Sequence, residues 1–465
     1  MSHQVNDIND IPWQVQRFKE MIDQKQSIYF DVDDFEEIID HFVYLADYRQ
    51  AMQIAEYAVG VHPGSVPLML RRAQLLATTN KEDKALEILS DVEALEPENS
   101  DVFLTKGAIY SQLRHYEKAI EEYNKAVDNA DEPDYVYCSI AFEYENMGNF
   151  DKTLEYLTKA LDLNPENDLA IYEAAYCFDL LSLTEESINF FSKLIDRHPY
   201  SIEAWFNLGV SYINAELYEK ACESFDFALA IDPEHSATWF HLGYALSLQE
   251  KFPEAIAAYK NSLDNDEGDA MKYYYMGECF EKMGAYLDAR HWYQKATDLQ
   301  ADIADAWIGM GVCEQEMGNH SQALELLHRG IDMDPQNTGY LCILADTYMA
   351  QERPDDAANW FEKAIESSPD EELIRMDYAD AMAEHGDFAT ATTIMVMAIE
   401  KFPESMVLQY RMAAYLYMQG KNKEADFFME EALSNDFEKH ESMFEIFPEL
   451  KDHKEVQTLI GFYSL

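Results

Sequence analysis

Residues 204–212 read AWFNLGVSY, with Trp, Phe and Tyr crowded into nine positions around an Asn and a Gly. The stretch is either a local aromatic cluster that binds something or one rung of a pattern that recurs. Adjacent residues on a helix point about 100° apart at 3.6 residues per turn, so Trp205 and Phe206 cannot both face the same way. The rest of the chain decides between the two readings.

Relatives of the stretch stand at 237–246 (ATWFHLGYAL) and 304–313 (ADAWIGMGVC). Trp239 follows Trp205 by 34 residues, Trp307 lies two such periods further on, and Tyr273 takes the rung between. Counting in 34s from Val32 gives twelve repeats, from 32–65 through 202–235 (repeat 6) to 406–439, with no insertion or deletion. Self-similarity at this period is the signature of stacked supersecondary units.

Chemically demanding positions stay in register. The eighth residue of each repeat is Gly or Ala (Gly107, Ala141, Gly209, Gly243) except Ile39 in the first. The twentieth is Ala in ten repeats, with Thr153 and Ser187 in the other two, and the thirty-second is Pro in eight. In repeat 6 the apolar spacing predicts one helix over about 204–214 and a second over about 218–231. Small residues at the eighth and twentieth positions allow two helices to approach closely. Gly in several of the breaks between them suits the end of a helix, where φ turns positive. Pro near the end of the second helix disfavours helical backbone in the residue before it and turns the chain into the next repeat. Neither helix can bury its apolar face alone, so each repeat must stack on its neighbours.

The pattern Trp205, Leu208-Gly209, Tyr212, Ala221, Phe225 and Pro233 resembles the tetratricopeptide repeat, and the resemblance covers 408 of the 465 residues. It implies an all-α, right-handed superhelical solenoid of antiparallel helix pairs that passes more than one superhelical turn. First helices would line a concave groove and second helices the outside. Repeats 1, 2 and 5 depart most: Ile39 is bulky at the eighth position, Arg72 replaces the apolar seventh, and Thr184 replaces the aromatic seventeenth. Residues 1–31 read as an N-terminal capping segment, with Asp10 as helix N-cap, Pro12 near the first turn, and Trp13, Phe18, Met21 and Ile22 covering the first repeat. Residues 440–465 read as a C-terminal capping helix restarting at Pro448, with Leu459, Ile460, Phe462 and Tyr463 available to cover the last repeat or to dock elsewhere.

Composition bounds the function. The chain has 34 Lys and Arg against 89 Asp and Glu, a formal charge of −55. Such a surface repels phosphate backbones and anionic lipid, which excludes nucleic acid as a partner, and it favours basic proteins. The acidity and the unbroken 34-residue frame both oppose the RNA-binding pentatricopeptide solenoids, whose period is one residue longer. No stretch approaches the roughly 18 apolar residues of a membrane span, and the N-terminus does not read as a secretory signal. The six cysteines (138, 177, 222, 279, 313, 342) show no metal-ligand spacing and read as reduced, buried thiols. A cytoplasmic protein is the expectation.

Catalytic and cofactor motifs are not found. None of the 13 histidines forms H-E-x-x-H. GMGVCEQEMG (309–318) puts Glu314 where a dinucleotide loop needs its third Gly. No enzyme, cofactor or metal is expected.

By the resemblance, ligands lie along the concave face, on positions 2, 5, 9, 12 and 13 of each first helix. Chaperone-binding members hold a C-terminal carboxylate there with Lys, Asn and Arg. This chain has no Lys or Arg at any fifth or ninth position, and Arg71 and Arg411 at the sixth are ten repeats apart. An acidic tail is therefore disfavoured. Repeats 5 to 8 instead carry Tyr172, Tyr176, Phe206, Phe240, Tyr244 and Tyr274, with Val210 and Ile213 beside them. Acids flank this centre: Asp33, Glu36 and Asp40 on one side, and Glu278, Glu281, Asp305, Asp346, Asp377 and Asp380 on the other. An aromatic fifth position is common in the family and partly packs between helices, whereas a contiguous exposed patch usually marks an interaction site.

The expectation is a protein-interaction adaptor whose groove takes a basic, partly apolar protein or peptide, which includes a basic cytoplasmic segment of a membrane protein. The groove residues are Tyr172, Tyr176, Phe206, Val210, Ile213, Phe240, Tyr244, Tyr274, Glu278 and Glu281. A self-assembling scaffold is the alternative among binding proteins, and an enzyme on a repeat frame is a remote one. Within the opening stretch, Trp205, Leu208, Gly209 and Tyr212 are packing residues, and Phe206 faces the groove.

Overall fold

The computed structural model describes residues 12–24, 28–265 and 268–464, and every regular element among them is a helix. Each of the twelve repeats forms two helices. In repeat 6 these are Ile202–Asn214 and Tyr218–Ile231. The first begins two residues earlier than its apolar spacing implies, because Ser201 caps it by accepting the Ala204 N–H. The thirty-fourth position supplies this cap repeatedly: Asn99, Asn167, Asp269 and Asn337 do the same for the helices that follow them.

The chain divides into two compact units, Met1–Asp232 and Pro233–Leu465, each holding six repeats. Within each unit consecutive helices pack on one another, and first helices of successive repeats also touch, as in repeats 5 and 6 and in repeats 7 and 8. First helices therefore form the inner layer of each stack.

The break between the two helices is the same in every repeat. All twelve residues at the fifteenth position adopt positive φ, from +54° to +91°. Five are Gly; the others are Ala46, Asn80, Arg114, Ser182, Glu216, Glu250 and Glu352. In repeat 6 the N–H of Glu216 bonds to the Ile213 carbonyl and that of Leu217 to the Tyr212 carbonyl. This pair of bonds satisfies carbonyls that a helix end leaves open.

The eighth position is small for a specific reason. A side chain on Gly107, Gly209, Gly243 or Gly277 would run into the ring at the twenty-fourth position of the same repeat: Tyr123, Phe225, Tyr259 or Tyr293. Where the eighth residue is Ala, the twenty-fourth is mostly Leu or Met, as with Ala141 and Leu157 or Ala379 and Met395. Repeat 1 inverts the pair, with Ile39 at the eighth position and Ala55 at the twenty-fourth, both fully buried. Its departure from the pattern is thus a volume-conserving exchange.

Position four holds the joint between repeats. The indole N–H of Trp205 donates to the Pro199 carbonyl at 2.9 Å, that of Trp239 to Pro233 at 2.8 Å, and that of Trp307 to Ala301 at 2.9 Å. Each acceptor is the thirty-second residue of the preceding repeat.

Both ends are covered, with differences from the sequence reading. Helix Trp13–Gln24 buries Val15, Phe18 and Met21 in the core of the first repeats, while Trp13 and Ile22 are exposed. Asp10 lies outside the described residues. Residues 440–465 do not form one helix: Pro448 opens a 3-10 turn, and the α-helix Lys454–Tyr463 starts beyond it. Met443, Phe444, Phe447, Leu450 and Val456 join the core of the last repeats, with Leu459, Ile460 and Tyr463 half-buried against it. Phe462 points to solvent. All six cysteines are free thiols, four of them buried.

Candidate functional site

The first unit carries an open groove of about 600 Å³ on the inner layer of repeats 5 and 6. Tyr172 and Tyr176 stand four residues apart, hence on one face, of the helix Asp168–Leu180. The two residues are 66 % and 46 % exposed. Phe206 and Val210 bear the same relation on Ile202–Asn214, and all four side chains line the groove with Asn207 and Asn214. Deeper in, the Ser187 and Ser211 hydroxyls are 2.7 Å apart in a buried hydrogen bond, with Ser187 at the usual Ala position. Phe206 is half-buried and leans on Phe225, with ring centroids 6.1 Å apart. Ile213 is half-buried and outside the lining. The structure therefore brings together four of the five expected residues here, and the two tyrosines are the freest of them.

The second unit has a groove of similar size, about 600 Å³, lined by Tyr244, Tyr274, Tyr275, Glu278, Lys282 and Asp305. Phe240 is packed rather than displayed: its ring lies 5.7 Å from Tyr259 and 5.6 Å from Tyr275. Burial pushes the Glu278 carboxyl up; Lys282 works against that shift and Asp305 adds to it. Glu281 is also raised, chiefly by burial, and its carboxylate accepts the Tyr293 hydroxyl at 2.8 Å. Tyr244, Tyr274 and Glu278 thus share a groove, whereas Phe240 and Glu281 serve the packing around it.

Two acids of repeats 10 and 11 have carboxyls raised well above their ordinary value. In repeat 10, burial and the neighbouring Asp377 and Glu384 push the Asp346 carboxyl up to about 6. Asp380 is pushed up to about 7, mainly by burial, with Arg411 working against the shift. The two inner-face arginines are already occupied. Arg71 bonds Asp40 at 3.0 Å, and buried Arg411 pairs with Asp380 and Glu445. Neither is available to clamp a carboxylate.

Among the described residues no group of three or more His, Cys, Asp or Glu is placed to hold a metal ion, and no helix is long and apolar enough to cross a membrane. Residues at the sixth and thirteenth positions, Asn207, Asn214, Tyr275 and Lys282, line the grooves although the sequence reading singled out none of them. The thirteenth position was already counted in the groove, but only aromatic, apolar and acidic residues were picked from it and its neighbours, and the sixth position was not counted at all.

Paired helices stacked with a grooved inner layer define a helical-repeat scaffold. Tetratricopeptide-repeat family models match residues 100–132, 135–167, 206–270, 240–306, 310–372 and 348–404, together more than half of the chain. The chain belongs to the tetratricopeptide-repeat family, whose fold serves as a protein-interaction scaffold. A search of curated proteins found no match. Among solved structures the chain is similar to the MamA protein, at 23% identity over 36% of this chain and 92% of that one, with a TM-score of 0.34. It is similar to YrrB, described as a repeat protein with an unusual peptide-binding site, at 22% identity over 40% and 95%, with a TM-score of 0.34. A third likeness is to a chain of the APC/C hetero-tetramer Cut9-Hcn1, at 13% identity over 87% and 99%, with a TM-score of 0.43.

Proposed function

We propose that this chain is a non-enzymatic cytoplasmic adaptor that holds a basic, partly apolar segment of another protein against its inner helices. The observation that carries the reading is the groove in repeats 5 and 6, where Tyr172 and Tyr176 display their rings to solvent beside Phe206 and Val210. Exposed tyrosines are costly to leave in water and effective as rigid anchors, since they supply contact area with few torsions to freeze. The formal charge of −55 supports a basic partner by steering its approach and repelling acidic competitors. A basic cytoplasmic segment of a membrane protein meets the same description.

The test is capture of partners on immobilised full-length chain at low and moderately raised salt, with identification by mass spectrometry. Tyr172→Ala/Tyr176→Ala is the informative variant, because both rings are exposed and their loss leaves the core intact. Salt-sensitive capture of basic proteins that this variant loses is the expected result. Capture unchanged in the variant sinks the groove reading, and light scattering that returns a stable oligomer in place of partner capture favours self-assembly.

A further inference from the structure

The helix Asp168–Leu180 turns its apolar side outward. Six of its residues are exposed, and four of them are large hydrophobics, Leu169, Tyr172, Tyr176 and Leu180, between 45 % and 66 % exposed. Among the described residues no other first helix exposes more than two, and the two of repeat 4, Tyr135 and Phe142, stand on the first helix just before it. At about 100° per residue the four fall on one stripe about 80° wide, and at 1.5 Å per residue it runs for roughly 16 Å. Glu173 borders one edge of the stripe; Asp168 and Asp179, the two remaining exposed residues, border the other. The first helices of repeats 4, 5 and 6 contain acids but no Lys, Arg or His. A helix on a protein surface ordinarily presents polar residues to water, so this face is built as an interface.

Repeat 5 is also where the stack opens. Ala175 is half-buried, whereas the other eleven eighth-position residues are buried. By register it meets Phe191, although an aromatic at the twenty-fourth position stands with Gly in four repeats of six. Thr184 replaces an aromatic at the seventeenth position, and Ser187 replaces the usual Ala at the twentieth. All three departures line the groove that Tyr172 and Tyr176 share with Phe206 and Val210. The packing rule that closes one helix on the next is therefore relaxed in the same repeat whose first helix is apolar on its open side.

We propose that repeat 5 docks a basic amphipathic α-helix of the protein partner, laid along Asp168–Leu180. Apolar residues of that helix, spaced by three and four, meet Leu169, Tyr172, Tyr176 and Leu180, and one large apolar side chain enters the groove beside Ala175. Lys or Arg on its two flanks face Glu173 on one side and Asp168 and Asp179 on the other, which fixes the occupant by charge as well as by shape. An extended segment fits less well. Its backbone N–H and C=O groups need partners, and the stripe offers only two tyrosine hydroxyls; the Asn207 amide in the groove already donates to the Glu203 carbonyl. A helix satisfies its own backbone and binds through its side chains alone. This inference rests on reading the inner face as the partner site, and it names the conformation and register of the segment held there.

The test begins with peptides selected by display on immobilised full-length chain. The strongest binder is synthesised with a carbon-labelled backbone, and again with Pro at its centre. Both are titrated against the wild type, Leu169→Ala/Leu180→Ala, Asp168→Asn/Asp179→Asn and Tyr172→Ala/Tyr176→Ala, with thermal melts confirming that every variant folds. The expected result is helical Cα chemical shifts in the bound peptide and a loss of tenfold or more from the central Pro. The leucine variant should cost fivefold or more, since it removes both ends of the stripe, and the carboxamide variant should flatten the salt dependence of binding. Bound shifts of an extended chain, or an affinity indifferent to Pro, overturn the helix, and a salt dependence untouched by the carboxamides overturns the seating of its basic flanks. If the leucine variant binds like the wild type while the tyrosine variant does not, the groove stands and docking along the helix falls. If the tyrosine variant also binds like the wild type, or no peptide is selected, both fall.

Discussion

Gly209 lies flat against the ring of Phe225, so close that a single methyl group on the glycine would occupy the volume of the ring. The two residues are sixteen apart in sequence and belong to the two helices of one repeat. Gly209→Ala should therefore destabilise the first unit by about 1–3 kcal/mol through overpacking, despite the better helix propensity of Ala. The double variant Gly209→Ala/Phe225→Leu reproduces the Ala141 and Leu157 pair of repeat 4 and should recover most of the loss. Urea denaturation of the three chains measures both effects, and an unchanged midpoint for Gly209→Ala would show that the ring moves aside freely.

The fifteenth position offers the opposite opportunity. Glu216, Glu250 and Glu352 hold φ of +59°, +60° and +57°, where a Cβ atom is strained and glycine is not. Five of the twelve repeats already use Gly here. Replacing any one of the three glutamates by Gly should raise stability by about 0.5–1 kcal/mol, the relief of strain exceeding the added freedom of the unfolded chain. The substitutions lie in three different repeats, so their gains should add. A thermal melt of the triple variant below that of the wild type contradicts this account.

These two cases mark what could be read from the chain alone. The 34-residue period, the helix pairs and the break between them were legible because backbone requirements act on single positions, and a Gly or Pro announces them. The pairing of the eighth and twenty-fourth positions was equally written in the sequence: Gly stands with Tyr or Phe in four repeats of five, Ala with Leu or Met in four of six, and Ile39 with Ala55. It is a relation between two rows, and a row-by-row reading saw Ile39 as an exception. The groove was half legible. Register places Tyr172 and Phe206 on the same face, yet only packing decides that the first ring stands in solvent and the second leans on Phe225. The exposure of Trp13, Ile22 and Phe462 depends on how the end helices lie on the core, which local pattern does not encode.

The indole bonds at the joints between repeats can be tested one by one. Trp205→Phe keeps most of the stacking on Phe227, whose ring lies 4.5 Å away, but removes the donor to the Pro199 carbonyl. A loss of about 0.5–1.5 kcal/mol is expected, the usual worth of one such hydrogen bond. Hydrogen exchange should rise first at the N-terminal turn of the helix Ile202–Asn214, next to the loosened joint. If exchange there stays at the wild-type rate, the indole contributes area alone.

Stability should also depend on pH in a direction set by the inner-face acids. Asp346 titrates at about 6 and Asp380 at about 7 in the folded chain, both above the ordinary value of 3.8. An acid with a raised folded pKa binds its proton more tightly when folded. Its contribution to stability is therefore fully present below about pH 4 and is lost as pH rises through 6 and 7. Mutual repulsion within a chain of formal charge −55 acts in the same direction, so the wild-type curve alone does not isolate these residues. Asp346→Asn does. Asp346 keeps contact with solvent, which screens part of the penalty, and the variant should gain no more than about 1 kcal/mol at pH 8. That gain should shrink steadily on acidification and vanish near pH 4. Thermal melts of the two chains across this range give the comparison, and a gain independent of pH would mean that packing, and not ionisation, sets the cost of Asp346.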